Sequence, residues 1–193
     1  MNAKLTLPLL TEDTAPEKGR ELLSNTHKKQ GFIPNMYREM AHAPGALSTY
    51  LHGYDWFRKE SGFTPAEQEV VLLAISRENA CHYCVAAHSM IAEKVSKVPP
   101  QAIQAIREGA AIHDPKLRAL AAFVKEMVQT RGNPSQASLQ AFTNAGYSEQ
   151  QALQVVLAIA VKTISNYTNH LFDTPVDAAF ASYALPTGEK GSV

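Results

Sequence analysis

The chain has 193 residues, of which 45% are hydrophobic, and its 18 basic and 18 acidic residues give a formal net charge of zero. A chain of this length can bury a substantial hydrophobic core and fits a single domain. The balanced charge argues against nucleic acid or an anionic membrane surface as a partner, because proteins that bind them usually carry a basic excess.

Apolar residues recur with helical spacing along most of the chain, which predicts an all-α fold. Prolines and glycines separate the predicted helices, and several prolines stand at a helix start, where the missing amide costs nothing. No segment alternates with a period of two between hairpin turns, so no strand is predicted. The predicted helices are 14–29, 45–59, 65–77, 84–96, 99–107, 115–130, 134–144 and 149–171, and the residues after Leu185 are predicted to fray.

Neither a signal peptide nor a membrane-spanning helix is predicted. Residues 1–10 contain only a short apolar stretch that Pro8 interrupts. The longest wholly apolar run is 155–161, far below the roughly 20 residues that span a bilayer. We therefore expect a cytoplasmic, reducing location, where two close cysteines are more often catalytic or metal-binding than a structural disulfide.

The two cysteines of the chain, Cys81 and Cys84, are followed by His88. On a helix these three side chains fall within a sector of about 60°, while His82 points away. A straight helix would separate Glu69 from His88 by about 28 Å. Because asparagine is a strong helix N-cap, residues 78–80 are predicted to break the helix and reverse the chain, which would bring Glu69 and His88 together.

The predicted reversal also places both cysteines in the first turn of a helix. The free amides and the dipole there stabilise a thiolate by about 1 kcal/mol, which lowers a thiol pKa by close to one unit. His88 can then accept a thiol proton, directly or through a water, and Glu69 can orient His88. Once one sulfur is oxidised to a sulfenic acid, its neighbour can release water by forming the disulfide. The pattern predicts redox chemistry.

An internal repeat at an offset of 84 residues relates the thiol region to a later segment. We interpret it as a duplicated helical hairpin in which both copies turn at the same place and only the first keeps its thiols. The alternative is that two buried helices merely share a composition. The matching residues are Val71, Leu73, Ala74, Ile75 and Tyr83 in the first copy and Val155, Leu157, Ala158, Ile159 and Tyr167 in the second.

The chain is therefore expected to form a single all-helical domain over residues 1–193. Its parts would be the N-terminal helices, 1–62, the catalytic helical hairpin, 64–96, and a degenerate second repeat, 148–177.

The order Glu69, eleven residues, Cys81-x-x-Cys84, three residues and His88 resembles the active-site signature of the alkylhydroperoxidase D family, within the carboxymuconolactone decarboxylase superfamily. The likeness runs from residue 64 to 94 and is looser in the second repeat. Residues 32–36 also resemble the entry segment of the peroxidase-related branch of this family.

The resemblance implies an all-α, alkylhydroperoxidase D-like helical bundle that assembles as a homotrimer or homohexamer. It implies a peroxidase with peroxiredoxin-type antioxidant activity, which reduces a small hydroperoxide and is regenerated by a dithiol or a lipoyl protein. By resemblance, Cys84 is the attacking thiol, Cys81 is the resolving thiol, and Glu69 and His88 form a proton relay. No glycine-rich phosphate loop or dinucleotide fingerprint is present, so no cofactor is expected.

The chain departs from the family at one site position. The best-studied members carry a histidine immediately before the second cysteine, where this chain has Tyr83, and its histidine stands one place earlier at His82. Both residues are candidates for lining the site. In the second half, Asn166, Asn169 and His170 are further candidates for a pocket, or are satisfied polar groups at a helix end.

Other interpretations of the same residues remain open. Cys81, Cys84 and His88 could supply three ligands to a zinc ion, but a second cysteine pair to close a structural site is absent. The cysteines could also be inert core residues. At the level of function, the alternatives are a lactone decarboxylase, which needs an acid–base pair and no thiols, and a non-enzymatic oligomer whose disulfide switches a partner surface.

Overall fold

The computed structural model describes residues 4–185, which contain nine α-helices, a C-terminal 3₁₀ helix and no strand. The all-α prediction is confirmed, whereas the predicted fraying after Leu185 lies outside the described residues. The helices are α1 (Glu17–Gln30), α2 (Asn35–Met40), α3 (Pro44–Glu60), α4 (Pro65–Glu78), α5 (His82–Lys94), α6 (Pro100–Glu108), α7 (Pro115–Gln129), α8 (Gln136–Asn144), α9 (Glu149–Phe172) and the 3₁₀ helix (Ala178–Tyr183).

The eight predicted helices agree with the structure within three residues at each end. Helix α2 and the 3₁₀ helix were not predicted, because six residues are too few to display a helical period. Side-chain caps explain why several boundaries were predictable: Asp114 accepts a hydrogen bond from Leu117 N at the start of α7, and Ser135 accepts one from Ser138 N at the start of α8.

Helix α4 is the centre of the fold. Every residue from Glu67 to Ser76 is buried, and α4 packs against α5, α6, α7 and α9. A helix that is apolar on all sides belongs in the interior, because no face of it can be left to water. Its burial explains why carboxylates on α4 must find partners inside the protein.

The chain reverses between α4 and α5 where the sequence predicts it. Asn79 ends α4, Ala80 has a φ of 52°, and Cys81 is the N-cap of α5. The left-handed conformation at Ala80 allows the chain to reverse its direction. It costs about 1–2 kcal/mol for a residue with a Cβ. The α4–α5 pair is therefore a helical hairpin with both cysteines at its closed end.

The second repeat begins like the first but does not turn. Capping boxes start both helices at the same offset, Thr64 with Glu67 in α4 and Ser148 with Gln151 in α9. Helix α9 then continues without a break to Phe172, so the expected second turn is wrong. The residues equivalent to Asn79 and Ala80 are Thr163 and Ile164. Because branched side chains are poorly tolerated in the left-handed region, the helix continues through them.

The structure contains two hydrophobic clusters. The larger surrounds α4 and includes Leu72, Leu120, Phe123 and Phe142. The smaller contains the N-terminal helices, the 3₁₀ helix and both cysteines. The thiols thus lie among α2, α5 and α9. None of the helices in the described part of the chain combines the length and apolar character needed to cross a membrane.

Candidate active site

The two cysteines are free and buried in the first turn of α5. Cys81 is 1% exposed and Cys84 is 2% exposed. One side chain contacts both sulfurs: Asn169 of α9 directs Nδ2 at Cys81 Sγ, 3.4 Å away, and at Cys84 Sγ, 3.2 Å away. The same nitrogen lies 3.3 Å from Met36 Sδ of α2. Because an amide N–H donates and a thiolate accepts, Asn169 can stabilise a negative charge on either cysteine.

The chain reversal brings Glu69 and His88 together. Glu69 is fully buried, and its Oε2 lies 2.9 Å from Nδ1 of His88. The other carboxylate oxygen accepts a hydrogen bond from Arg58 of α3, whose guanidinium also donates to the Tyr54 hydroxyl. Although burial raises the pKa of Glu69, His88 and Arg58 lower it below its ordinary value, so this carboxylate is ionised at neutral pH.

The other ring nitrogen of His88 faces a buried lysine. Lys162 of α9 is 0% exposed, and its Nζ lies 2.9 Å from Nε2 of His88. Because Nδ1 donates to the Glu69 carboxylate, Nε2 must accept from Lys162. Burial and the charge of Lys162 lower the pKa of His88, which keeps the ring neutral. Arg58, Glu69, His88 and Lys162 thus form a continuous buried relay.

This arrangement changes the predicted role of His88. The sequence predicts that this imidazole takes a thiol proton directly or through a water, whereas both of its nitrogens have hydrogen-bond partners, Glu69 and Lys162. The charge of Lys162 lowers the pKa of both cysteines. Lys162 therefore interacts with the Glu69–His88 pair by contact and with the thiols through its charge.

The two thiols have different acidities. Burial raises the pKa of Cys81, but hydrogen bonds from Cys84 and Asn169 and the charge of Lys162 together lower it to about 6. Burial raises the pKa of Cys84, and the adjacent Cys81 sulfur raises it further. The pair therefore holds its first negative charge on Cys81, with the Cys84 thiol as a hydrogen-bond donor to it.

The remaining candidates lie in different surroundings. His82 is exposed and lies away from the sulfurs. Tyr83 is buried, its hydroxyl donates to Asp177, and its ring packs edge-on against Phe180. The tyrosine thus attaches the 3₁₀ helix to α5.

Three other polar residues fall outside the relay. Glu67 is only 6% exposed, because it caps α4 and accepts hydrogen bonds from Tyr147 and Lys116. Asn166 is buried and accepts a hydrogen bond from Asn79. His170 is exposed beside Tyr167. Of the three polar candidates in α9, Asn169 is the one that touches the thiols.

Arg58 and Lys162 lie at the site but are not among the residues that the sequence predicts there. Arg58 reaches the site from α3 and carries no local signal. Lys162 does carry one, since it is the only lysine or arginine in α9 and it follows the apolar run 155–161 directly. A single cation at helical spacing on an otherwise apolar face predicts a buried charge with an internal partner.

Within residues 4–185, no group of three or more His, Cys, Asp or Glu side chains is placed to hold a metal ion. His88, the third ligand of the zinc interpretation, has both nitrogens in hydrogen bonds to Glu69 and Lys162. The arrangement is suited to moving protons and electrons at a thiol pair.

Comparison with solved structures identifies several proteins of the same fold. An uncharacterized peroxidase-related protein from Ralstonia eutropha JMP134, described as an alkylhydroperoxidase AhpD core, is 24% identical, with a TM-score of 0.78 over 90% of this chain and 93% of the other. A peroxidase-related protein from Silicibacter sp. TM1040 is 19% identical, with a TM-score of 0.76 over 92% and 93%.

A third solved structure is that of a debrominase. It is a cysteine-to-alanine variant of the debrominase Bmp8 in complex with 2,3,4-tribromopyrrole, 19% identical, with a TM-score of 0.73 over 95% of this chain and 96% of the other. No curated protein matches the chain significantly.

The family model of the carboxymuconolactone decarboxylase family matches residues 42–126. This region contains α3, α4 and α5, and with them Arg58, Glu69, both cysteines and His88. Over residues 42–126 the chain is therefore similar to the carboxymuconolactone decarboxylase family, and its fold is the alkylhydroperoxidase-like helical fold of the solved structures.

Proposed function

We propose that the protein is a thiol-dependent hydroperoxide reductase in which Cys81 and Cys84 are the redox-active pair. The observation that carries the proposal is a buried cluster in which the amide of Asn169 contacts two free thiols on which the charge of Lys162 acts. A thiolate is the attacking species toward peroxide, and this cluster lowers the pKa of Cys81 to about 6.

The proposed cycle consumes two thiols for each peroxide. As the family resemblance implies, Cys84 attacks the outer oxygen after passing its proton to the Cys81 thiolate. The O–O bond breaks, Cys84 becomes a sulfenic acid, and the alkoxide leaves as the alcohol with a proton that Lys162 supplies. Cys81 then attacks Cys84 Sγ, which forms the disulfide and releases water. A dithiol, free or carried by a lipoyl protein, reduces the disulfide in two exchange steps.

Lys162 regains the proton that it gives up when the dithiol reduces the disulfide, because one of the two protons that the dithiol brings passes from Cys81 to the lysine. The lysine is hydrogen-bonded to His88, and Glu69 with Arg58 holds the imidazole in the tautomer that accepts at Nε2. Glu69 and His88 act in this proposal as the orienting part of a nucleophile–base–orienter set. Burial of both sulfurs favours a small hydroperoxide as the first substrate, because a larger reagent reaches them only after the helices open.

The decisive test is a thiol count before and after one equivalent of an organic hydroperoxide. The wild type should lose both thiols, and Cys84→Ser should consume no peroxide rapidly. In Cys81→Ser the sulfenic acid should accumulate on Cys84, where dimedone traps it for mass spectrometry. A Cys84→Ser variant that consumes peroxide at the parental rate would overturn the assignment of the attacking thiol.

Other activities are separate arms of that test. Because a debrominase shares the fold, 2,3,4-tribromopyrrole with bromide release as the readout is a second substrate. Lactone turnover that survives Cys81→Ser/Cys84→Ser would instead identify a decarboxylase. Oxidation that changes the assembly without multiple turnover would identify a redox-responsive oligomer in place of the enzyme.

The proposal includes a homo-oligomer, a trimer or hexamer by family resemblance, in a reducing compartment such as the cytoplasm. Helix α9 supports the assembly with large apolar side chains exposed at heptad-like spacing: Leu153 (69%), Val156 (48%), Tyr167 (57%) and Leu171 (48%). A continuous apolar stripe on one long helix is typical of a surface that another protein covers.

A further inference from the structure

A buried carboxyl group on α2 lies outside the relay. Glu39 is 2% exposed, and no lysine, arginine or histidine among residues 4–185 forms an ion pair with it. Burying an unpaired carboxylate is costly, so such a group must retain its proton or be held by hydrogen-bond donors. Its surroundings show what it is connected to.

Two further side chains connect Glu39 to the sulfurs. Glu39 Oε2 lies 2.5 Å from Thr174 Oγ1, and this hydroxyl lies 2.8 Å from Asn169 Oδ1. The other end of the Asn169 amide contacts Cys81 Sγ at 3.4 Å and Cys84 Sγ at 3.2 Å. A chain of hydrogen bonds therefore leads from a carboxyl group to both thiols.

The number of available hydrogens determines which group donates and which accepts in each of these hydrogen bonds. The Thr174 hydroxyl has one hydrogen but touches two acceptor oxygens. When Glu39 is protonated, it donates to Thr174, and Thr174 donates to Asn169 Oδ1. When Glu39 is ionised, Thr174 donates to the carboxylate, and Asn169 Oδ1 loses that donor. The proton on Glu39 thus decides whether the Asn169 amide is held at its oxygen end.

We propose that Glu39 is a positioning residue for the thiol pair, which acts through Thr174 to set how firmly the Asn169 amide donates to the two sulfurs. A protonated Glu39 fixes the amide with Nδ2 toward the sulfurs and stabilises the thiolate. An ionised Glu39 releases the amide and leaves a less stabilised, more nucleophilic sulfur.

The groups that face Glu39 place this change near neutral pH. Burial and the carboxylate of Asp177, which precedes the 3₁₀ helix, raise the pKa of Glu39, the hydrogen bond with Thr174 lowers it, and together they bring it to about 7. From α5, the titratable neighbour is Tyr83, whose hydroxyl donates to Asp177. Thr174 and Asn169 are neutral. Cys81, with its pKa of about 6, is already a thiolate when Glu39 loses its proton.

The test measures the rate of alkylation by iodoacetamide from pH 5 to 9, with the modified cysteine identified by mass spectrometry. In Glu39→Gln the introduced side-chain amide donates to the Thr174 hydroxyl at every pH, as the protonated carboxyl of Glu39 does in the wild type. Lowering the pKa of a thiol by one unit lowers the nucleophilicity of its thiolate by about threefold. Glu39→Gln should therefore react about threefold more slowly than the wild type at pH 8.5, where wild-type Glu39 is ionised.

Removing the Thr174 hydroxyl tests the role of the hydrogen bonds that connect Glu39 to the sulfurs. Thr174→Val should raise the apparent pKa of Cys81 by about one unit, the size expected for loss of a hydrogen bond to a charged group. Thr174→Ser keeps the hydroxyl and should restore the wild-type profile. In the Thr174→Val background, Glu39→Gln should change nothing, because the connection is already broken.

Two outcomes would overturn the proposal. One is a Glu39→Gln rate equal to that of the wild type at pH 8.5. The other is an effect of Glu39→Gln that persists in Thr174→Val, since that result assigns the coupling to charge acting through space. Circular dichroism confirms folding, and Thr174→Ala replaces any Thr174→Val protein that does not fold. This proposal rests on the proposed function in one respect, since both require a reactive thiol pair. Alkylation measures the reactivity of that pair whether or not peroxide is the substrate, so the two proposals can fail separately.

Discussion

The Nζ atom of Lys162 lies 2.9 Å from Nε2 of His88, in a place that water does not reach. The contact joins α9 to the α4–α5 hairpin and connects the thiols to a Glu69–His88 pair that is closed on its other side by Arg58. A lysine at this place supplies both a positive charge for a thiolate and a proton for a leaving alkoxide.

Replacing Lys162 by methionine should raise the apparent pKa of Cys81 from about 6 toward the free-thiol value of about 8.5. The thiolate fraction at pH 7 should fall roughly tenfold, and the pH profile of iodoacetamide alkylation should move to higher pH by the same shift. Lys162→Met also leaves Nε2 of His88 without its buried hydrogen-bond donor, so the melting temperature is measured beside the alkylation rate.

Lys94→Met is the matched control, since Lys94 is an exposed lysine near the end of α5. It should leave both the alkylation rate and the thiol pKa unchanged. An unaltered thiol pKa in Lys162→Met would remove the lysine from the proposed mechanism.

Glu69→Gln should destabilise the fold by about 3 kcal/mol, because it leaves Arg58 and His88 without their buried anion. Burial raises the pKa of Glu69, but His88 and Arg58 outweigh it and hold this pKa below 4.5. The stability that Glu69 contributes is therefore present above pH 4.5 and is lost as the pH falls through its folded-state pKa. Urea unfolding at several pH values between 3 and 7 measures both effects.

In Glu69→Gln this contribution to the acid-induced loss of stability should disappear. Glu60→Gln, at an exposed site at the end of α3, should retain wild-type stability and acid sensitivity. Equal acid sensitivity in Glu69→Gln and the wild type would contradict the assignment of an ionised, paired carboxylate.

Glu39 should give the opposite dependence of stability on pH. Burial raises its pKa to about 7 from an ordinary value of 4.5, so the folded protein holds more protons than the unfolded chain between these values. The free energy of unfolding should therefore decrease as the pH rises from 4.5 to 7, by at most about 1.4 kcal/mol per pH unit from this group. Glu39→Gln should flatten that slope, which denaturant titrations at pH 5, 6, 7 and 8 can measure. An unchanged slope would show that Glu39 is ionised throughout.

Ala80 should respond to substitution according to its φ of 52°. Ala80→Gly should leave stability unchanged or raise it by about 1 kcal/mol, because glycine adopts this conformation without a steric cost. Ala80→Ile, which copies the residue at the equivalent position in α9, should destabilise the protein by more than 1 kcal/mol and lower thiol reactivity, because the turn positions α5. Thermal melting with cysteine alkylation measures the two effects, and an Ala80→Ile protein of wild-type stability would disprove the explanation of the unbroken α9.

The apolar stripe on α9 predicts a concentration-dependent assembly. Leu153→Glu with Tyr167→Glu should shift the mass measured by light scattering toward that of one chain, because each places a charge in the expected contact. Gln154→Glu is the control, since it adds one charge to a less exposed position beside the stripe. A mass that is the same for wild type and double variant would exclude this face of α9 as the contact.

The sequence by itself determined the features that depend on neighbours along the chain. Helical periodicity gave the helix limits, and the spacing of Cys81, Cys84 and His88 placed them on one face of α5. The helix-breaking residues near Asn79 gave the reversal that brings Glu69 to His88. These relationships follow from rise, rotation and capping, which are local properties of the backbone.

The tertiary structure decided what surrounds that local arrangement. Arg58 from α3, Glu39 from α2, and Lys162 and Asn169 from α9 reach the site only through the packing of helices that are distant in sequence. Periodicity identifies a buried face but does not specify which atoms meet across it, since that depends on how side chains of several helices fill one volume. The same packing decided that a lysine contacts His88 and that its charge acts on the thiols.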